Sequence, residues 1–162
     1  MPCDGVCAGG GRVAGRGPID LRSVAAPNRL TAQPPRRHRG SAVGDFNHDG
    51  KLDVVVTALS APAEIWMNDS PGANHWLELK LEGTKSNRDG IGARIRISTA
   101  GHEQFNHMST AAGYASSSAG PVHFGLGQPN KVDEIEIRWP SGIKQVLKDV
   151  PADQILRVKE SR

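Results

Sequence analysis

Hydrophobic and polar residues alternate along the second half of the chain. In residues 76–82, leucines occupy every second position and charged residues fill most of the positions between them, which is typical of a β-strand with one buried face. The same alternation recurs in residues 93–98 and 132–139, and glycine-containing turns at residues 89–90 and 140–142 separate such segments. About seven short strands with a turn between each pair predict an antiparallel β-sandwich and an all-β fold.

A continuous apolar run appears earlier in the chain. Residues 52–58 read Leu-Asp-Val-Val-Val-Thr-Ala, and such a β-branched run favours a buried strand. A second short strand is predicted at residues 64–68, so residues 41–72 should form a β-hairpin unit that ends in a linker rich in Asn, Ser, Pro and Gly. The sandwich is then predicted to span residues 73–162.

The residues in front of the apolar run predict a calcium site. Asp45, Asn47 and Asp49 alternate, so their oxygens can converge in a tightly wound segment in which Gly50 takes a positive φ. Carboxylates this close repel one another unless a cation lies among them. The alternative is an Asx-rich turn that binds nothing, but the spacing is more restrictive than turn composition alone. The predicted Ca²⁺ ligands are the side chains of Asp45, Asn47, Asp49 and Asp53 and the backbone carbonyl of Lys51.

Charge and composition set the amino-terminal segment apart. The formal net charge is +3, but residues 1–40 hold seven arginines and two aspartates, a net of +5, so the remainder carries −2. This segment is rich in Pro, Gly and Arg without apolar periodicity, and we predict that it is disordered. It contains no apolar core of a secretion signal, so we expect no export signal in it. Cys3 and Cys7 are interpreted as incidental thiols, because no second Cys or His pair at zinc spacing lies nearby.

The sequence offers no catalytic constellation. The six histidines form no His-Glu-x-x-His motif, and Gly-x-Ser-x-Gly is absent, so residues 116–118 are interpreted as a serine-containing connector rather than a nucleophile site. Arg94, Arg96 and Arg138 are expected to pair with glutamates on neighbouring strands. The basic run at residues 36–39 lacks interleaved aromatic residues, so nucleic-acid binding is not expected. No apolar run is long enough to predict a membrane span.

Two stretches resemble known families. Residues 44–68, with Gly-Asp-Phe-Asn-His-Asp-Gly-Lys-Leu-Asp-Val-Val-Val at their start, resemble an FG-GAP (VCBS-type) repeat, which forms a blade of a calcium-binding β-propeller. The resemblance implies the same five ligands at positions 45, 47, 49, 51 and 53, whereas Val56 replaces the bidentate Glu of a helical EF-hand. The second half resembles the ASPIC/UnbV domain through five segments: residues 74–77, 83–93, 113–114, 122–127 and 137–142.

The order of the two parts matches the cartilage acidic protein-like proteins, in which a whole propeller precedes the ASPIC/UnbV domain. A complete propeller does not fit in 162 residues, so we expect a fragment of a larger protein. The resemblance implies an extracellular, non-enzymatic, calcium-binding module for binding or adhesion, with an unknown protein or carbohydrate ligand. The alternative is an accessory domain of a secreted enzyme whose catalytic part lies outside this chain.

Overall fold

The structure is a computed structural model that describes residues 21–23, 37–72, 74–118 and 120–162. The described residues form β-strands and no helix, so none of them lies in a helix that could span a membrane. The all-β prediction is confirmed. In chain order the strands are β1 (Leu21–Ser23), β2 (His38–Gly44), β3 (Asp53–Ala58), β4 (Ala61–Asn68), β5 (His75–Glu82), β6 (Arg94–Thr99), β7 (His102–His107), β8 (Ala111–Gly113), β9 (Ser116–Ser117), β10 (Val122–Gly127), β11 (Lys131–Arg138), β12 (Lys144–Pro151) and β13 (Gln154–Lys159).

The first four strands form one antiparallel sheet, which we call the blade sheet. Its strand order is β1-β4-β3-β2, so the predicted hairpin of β3 and β4 lies at its centre. Trp66 on β4 is buried. Two strands of this sheet reach into the segment predicted to be disordered, because Leu21–Ser23 forms β1 and β2 begins at His38. Residues 1–20 and 24–36, with both cysteines, lie outside the described residues.

The remaining chain forms the sandwich, which has two principal sheets. One sheet has the order β10-β5-β13 and the other β12-β11-β6-β7. Because alternate residues of each strand point inward, leucines of β5 and isoleucines of β6 and β11 meet in one core. Burying each such side chain contributes about 1.5–3 kcal/mol. One pairing differs from the predicted antiparallel pattern: β13 runs parallel to β5. The fully buried members of the core include Leu77, Leu79, Ile95, Ile97, Val132, Ile135 and Ile137.

A buried carboxylate fastens the end of β13 to the loop after β5. Glu160 Oε2 accepts hydrogen bonds from the backbone amides of Thr84 at 2.7 Å and of Lys85 and Ser86 at 2.8 Å. Its other oxygen accepts from the hydroxyls of Ser86 and Ser141. Burial alone would raise the pKa of Glu160, but the Ser141 hydroxyl and the amides of Ser86 and Thr84 outweigh it and lower the pKa. The loop therefore closes around a carboxylate whose ionised form it stabilises.

The serine-containing connector covers an edge of the blade sheet. Strands β8 and β9 form a small hairpin, and Ser116 and the following Ser118 reach β2, an edge strand of the described blade sheet. The amide of Ser41 donates to Ser116 Oγ at 2.9 Å, and the amide of Val43 donates to Ser118 Oγ at 3.2 Å. Unpaired strand edges promote aggregation, so these bonds protect the edge while they join the blade sheet to the sandwich.

Candidate metal centre

The predicted calcium loop connects β2 to β3, and we call residues 45–52 the metal loop. Its backbone turns twice through the left-handed region, with φ of 61° at His48 and 83° at Gly50. The positive φ predicted for Gly50 is confirmed. A positive φ is uncommon for a residue with a side chain. The amides of Asp49 and Gly50, which follow His48, donate to the Asp45 carboxylate and hold the loop in this winding.

The predicted ligand side chains turn inward over the loop. Asp45 Oδ1 and Asn47 Oδ1 both accept from the Asp49 amide, at 3.1 Å and 3.3 Å. Asp45 Oδ2 accepts from the Gly50 amide at 2.8 Å, and Asp49 Oδ1 accepts from the Lys51 amide at 2.9 Å. Two of the predicted ligand oxygens therefore accept from a single amide.

Asp53 occupies a different environment from the other members of the set. It is the first residue of β3 and only 1% exposed. Its Oδ2 accepts from the Phe46 amide at 2.9 Å and its Oδ1 from the Asn68 amide at 2.8 Å. One buried carboxylate thus ties the start of the metal loop to the end of β4, so Asp53 has a structural role whether or not an ion is bound.

The donor chemistry of the loop suits a hard cation. Every predicted donor is an oxygen, which Ca²⁺ prefers and zinc does not. Each carboxylate oxygen has two lone pairs, so one amide bond leaves capacity for an ion. Lys51 Nζ lies 3.8 Å from Asp49 Oδ2 and forms a long, partly exposed ion pair with it. Among the described residues, no group of three or more His, Cys, Asp or Glu side chains is gathered so as to hold a metal ion.

The metal loop rests on the sandwich. His123 Nε2 on β10 donates to the carbonyl of Gly50 at 3.0 Å, and Gly50 lies so close to the Trp76 indole that a Cβ would overlap it. The Trp76 and His123 rings are nearly parallel, 5° apart, with centroids 6.3 Å from one another. The conformation at Gly50 is therefore coupled to two strands of the sandwich.

A cleft of about 570 Å³ with a mostly apolar lining lies beside this contact and includes Glu78 and His48. Glu78 is only 4% exposed. Burial raises the pKa of Glu78, and the carboxylate of Asp45 adds to that, while His123 and His48 act in the opposite direction. No sequence pattern indicates this neighbourhood, because Trp76, Glu78 and His123 are far from the metal loop along the chain.

Comparisons with known families match the blade sheet and the sandwich separately. The family model described as FG-GAP repeat matches residues 39–73, and the model described as ASPIC and UnbV matches residues 83–162. The chain is 26% identical to Cartilage acidic protein 1 of Mus musculus and of Homo sapiens over 132 residues, 79% of this chain and 20% of each relative. Cartilage acidic protein 1 of Xenopus tropicalis is 27% identical over 115 residues, 68% of this chain and 18% of the relative. The chain spans about a fifth of the length of these relatives.

Proposed function

Because the chain carries an FG-GAP repeat followed by an ASPIC/UnbV domain, we propose that it is a calcium-stabilised, non-enzymatic binding or adhesion module of an extracellular protein. The proposed Ca²⁺ ligands are the side chains of Asp45, Asn47, Asp49 and Asp53 and the carbonyl of Lys51. Calcium would supply positive charge to a loop whose carboxylates otherwise repel one another. The chain's own residues hold the loop in shape and join it to the sandwich.

The observation that carries the proposal is the spacing of Asp45, Asn47, Asp49 and Asp53 within the matched FG-GAP repeat, on a loop whose side-chain oxygens fold back onto its own amides. Hydrogen bonds to the amide two residues on, as at Asn47 and Asp49, also occur in an Asx turn that binds nothing, so calcium titration decides between the two. The resemblance to FG-GAP repeats adds the expectation of calcium. The affinity should fall in the range of extracellular modules, on the order of 0.1–1 mM.

The non-enzymatic role is proposed from the sequence, which contains neither a His-Glu-x-x-His nor a Gly-x-Ser-x-Gly motif. Ser116 Oγ accepts from the Ser41 amide and donates to the Tyr114 carbonyl, so it joins the hairpin to the blade sheet. The ligand of the whole protein, its extracellular location and its adhesive role are part of the proposal, since this chain covers only a fifth of its relatives. A protein or a carbohydrate is the expected ligand.

The test is thermal unfolding in calcium and in chelator. At calcium tenfold to a hundredfold above the dissociation constant, binding should add about 1.4–2.7 kcal/mol and raise the melting temperature by roughly 3–10 °C. Asp49→Ala should remove this shift, because it deletes a proposed ligand whose carboxylate accepts one backbone amide, that of Lys51, among the described residues. Asp89→Ala, at an exposed aspartate of the sandwich, is the matched control and should keep the full shift. An Asp49→Ala protein that still responds to calcium like the parent would refute the site.

A further inference from the structure

One buried carboxyl group of the sandwich has no partner. Glu78 on β5 is only 4% exposed, and its side chain forms no hydrogen bond or ion pair among the described residues. Burying a carboxylate without a compensating partner costs free energy, and burial accordingly raises the pKa of Glu78. A bound cation would stabilise the ionised form of this group.

The other buried carboxylates of the described residues are engaged. Glu136 accepts from Lys144 at 2.9 Å and from Arg138 at 2.8 Å. Three further carboxylates contact backbone amides or a histidine: Asp53, Glu64 and Glu160. Buried polar groups normally have such partners, and the exceptions are concentrated at functional sites. Glu78 is the exception within the part of the chain that the structure describes.

Glu78 forms part of the floor of the cleft of about 570 Å³ beside the metal loop. In the sheet β10-β5-β13 it lies directly opposite His123 on one side and Ile155 on the other, so the three side chains share one face of the sheet. Nε2 of His123 is already bound to the Gly50 carbonyl. The Glu78 carboxyl is therefore available to a molecule in the cleft.

Exposed apolar side chains gather around this carboxyl. Val43 on β2, Phe46 and Leu52 of the metal loop and Ile155 on β13 are large hydrophobic residues that remain exposed, and all four line the cleft. A concave, mostly apolar site of this size with a few polar groups is typical of small-molecule binding. The lining therefore suits a ligand with an apolar body.

The charges of the cleft favour a cationic head group. Its described lining includes the carboxylates of Glu78 and Asp45 and contains neither lysine nor arginine. Lys80, two residues further along β5, lines a separate cleft with Arg88 and Arg157. Histidines also line the cleft, and histidine side chains in general lose their charge near neutral pH. Above that pH the carboxylates set the sign of the charge.

We propose that this cleft binds a small organic amine, with its apolar body against Phe46 and Ile155 and its ammonium group on the Glu78 carboxylate. The amine is additional to the protein or carbohydrate ligand proposed above, and its binding does not rest on that ligand or on calcium. A buried charged group that lacks a partner discriminates strongly between a ligand that supplies one and an isostere that does not.

The test is calorimetric titration of the full chain in chelator at about pH 8, where histidine is ordinarily uncharged. The probe is phenethylamine, phenethyl alcohol is its neutral isostere, and phenylpropionate is its anionic counterpart. We expect a dissociation constant on the order of 0.1–1 mM for the amine. The alcohol and the anion should bind at least about tenfold more weakly, because neither supplies a positive charge to Glu78.

Substitutions then locate the site. Glu78→Gln should weaken phenethylamine binding by roughly tenfold or more and leave the binding of phenethyl alcohol unchanged, because it removes the charge and keeps the shape. Ile155→Ala should weaken the binding of both by about threefold to tenfold, since it removes apolar contact. Glu82→Gln is the matched control and should bind like the parent, because this exposed glutamate of the same strand pairs with Lys159.

Four results would overturn the proposal. Equal losses in Glu78→Gln and Glu82→Gln would show general charge attraction, and equal binding of phenethylamine and phenylpropionate would show that the charge of the ligand is irrelevant. A parent protein that does not bind the amine at all would exclude the site. Tighter binding of an apolar tripeptide that contains lysine would identify a peptide as the ligand. Because every titration is made in chelator, each of these results leaves the calcium test of the metal loop unaffected.

Discussion

The Asp53 carboxylate has two roles, as an acceptor of backbone hydrogen bonds and as a proposed calcium ligand. Asp53→Ala, measured without calcium, tests the first role alone. The substitution removes the acceptor of two backbone amides, those of Phe46 and Asn68, at a residue that is only 1% exposed. A buried donor left without an acceptor costs about 1–3 kcal/mol, and water entering from the metal loop recovers part of this. We expect a net loss of about 2–4 kcal/mol in the free energy of unfolding.

The measurement is a thermal melt in chelator, where no ion contributes. For a chain of this length the loss corresponds to a melting temperature lower by roughly 5–15 °C. Asp53→Asn should lie between Ala and the parent, because its amide oxygen can serve one of the two donors while its NH₂ group cannot accept from the other. Asp49→Ala is the matched control. Its carboxylate accepts one amide in an exposed loop, so its loss in chelator should stay within about 1 kcal/mol.

Hydrogen exchange gives the same test residue by residue. The amides of Phe46 and Asn68 should exchange faster in Asp53→Ala, while amides in the sandwich core keep their protection. If Asp53→Ala melted in chelator at the temperature of the parent, the anchoring role would be wrong, and Asp53 would act only through an ion.

Two further predictions concern the contact between the units and the charged groups. Gly50→Ala should loosen the metal loop from the sandwich, because a Cβ would overlap the Trp76 indole and φ at this position is 83°; a tryptophan fluorescence spectrum unchanged from the parent would contradict this. The pKa of Glu136 is lowered from 4.5 to about 2, so its ionised form stabilises the fold above pH 4.5, and this stability is lost as the pH falls toward 2. Melts across that window should show a shallower decline for Glu136→Gln than for the parent, and equal slopes would argue against the ion pairs of Glu136.

The sequence determined the local elements because their causes are local. Alternating leucines and isoleucines specify strands with one buried face, and the buried leucines and isoleucines of β5, β6 and β11 follow that alternation. The run of valines after Asp53 specifies β3. Gly50 takes its positive φ where the spacing of Asp45, Asn47 and Asp49 requires a tight turn. Both family resemblances also rest on residues close together in the chain.

The tertiary structure decided which distant residues meet. Nothing near Ser116 or Ser118 in the sequence indicates that their hydroxyls bind β2, about 75 residues away. The closure of the loop at Thr84–Ser86 around Glu160 depends on the parallel pairing of β13 with β5, which alternation alone does not specify. Likewise, Arg94 and Arg96 have the same sequence pattern, but strand register places one beside carboxylates and the other beside a second arginine. Pairing energy depends on cross-strand neighbours, and those neighbours exist only once the sheet has formed.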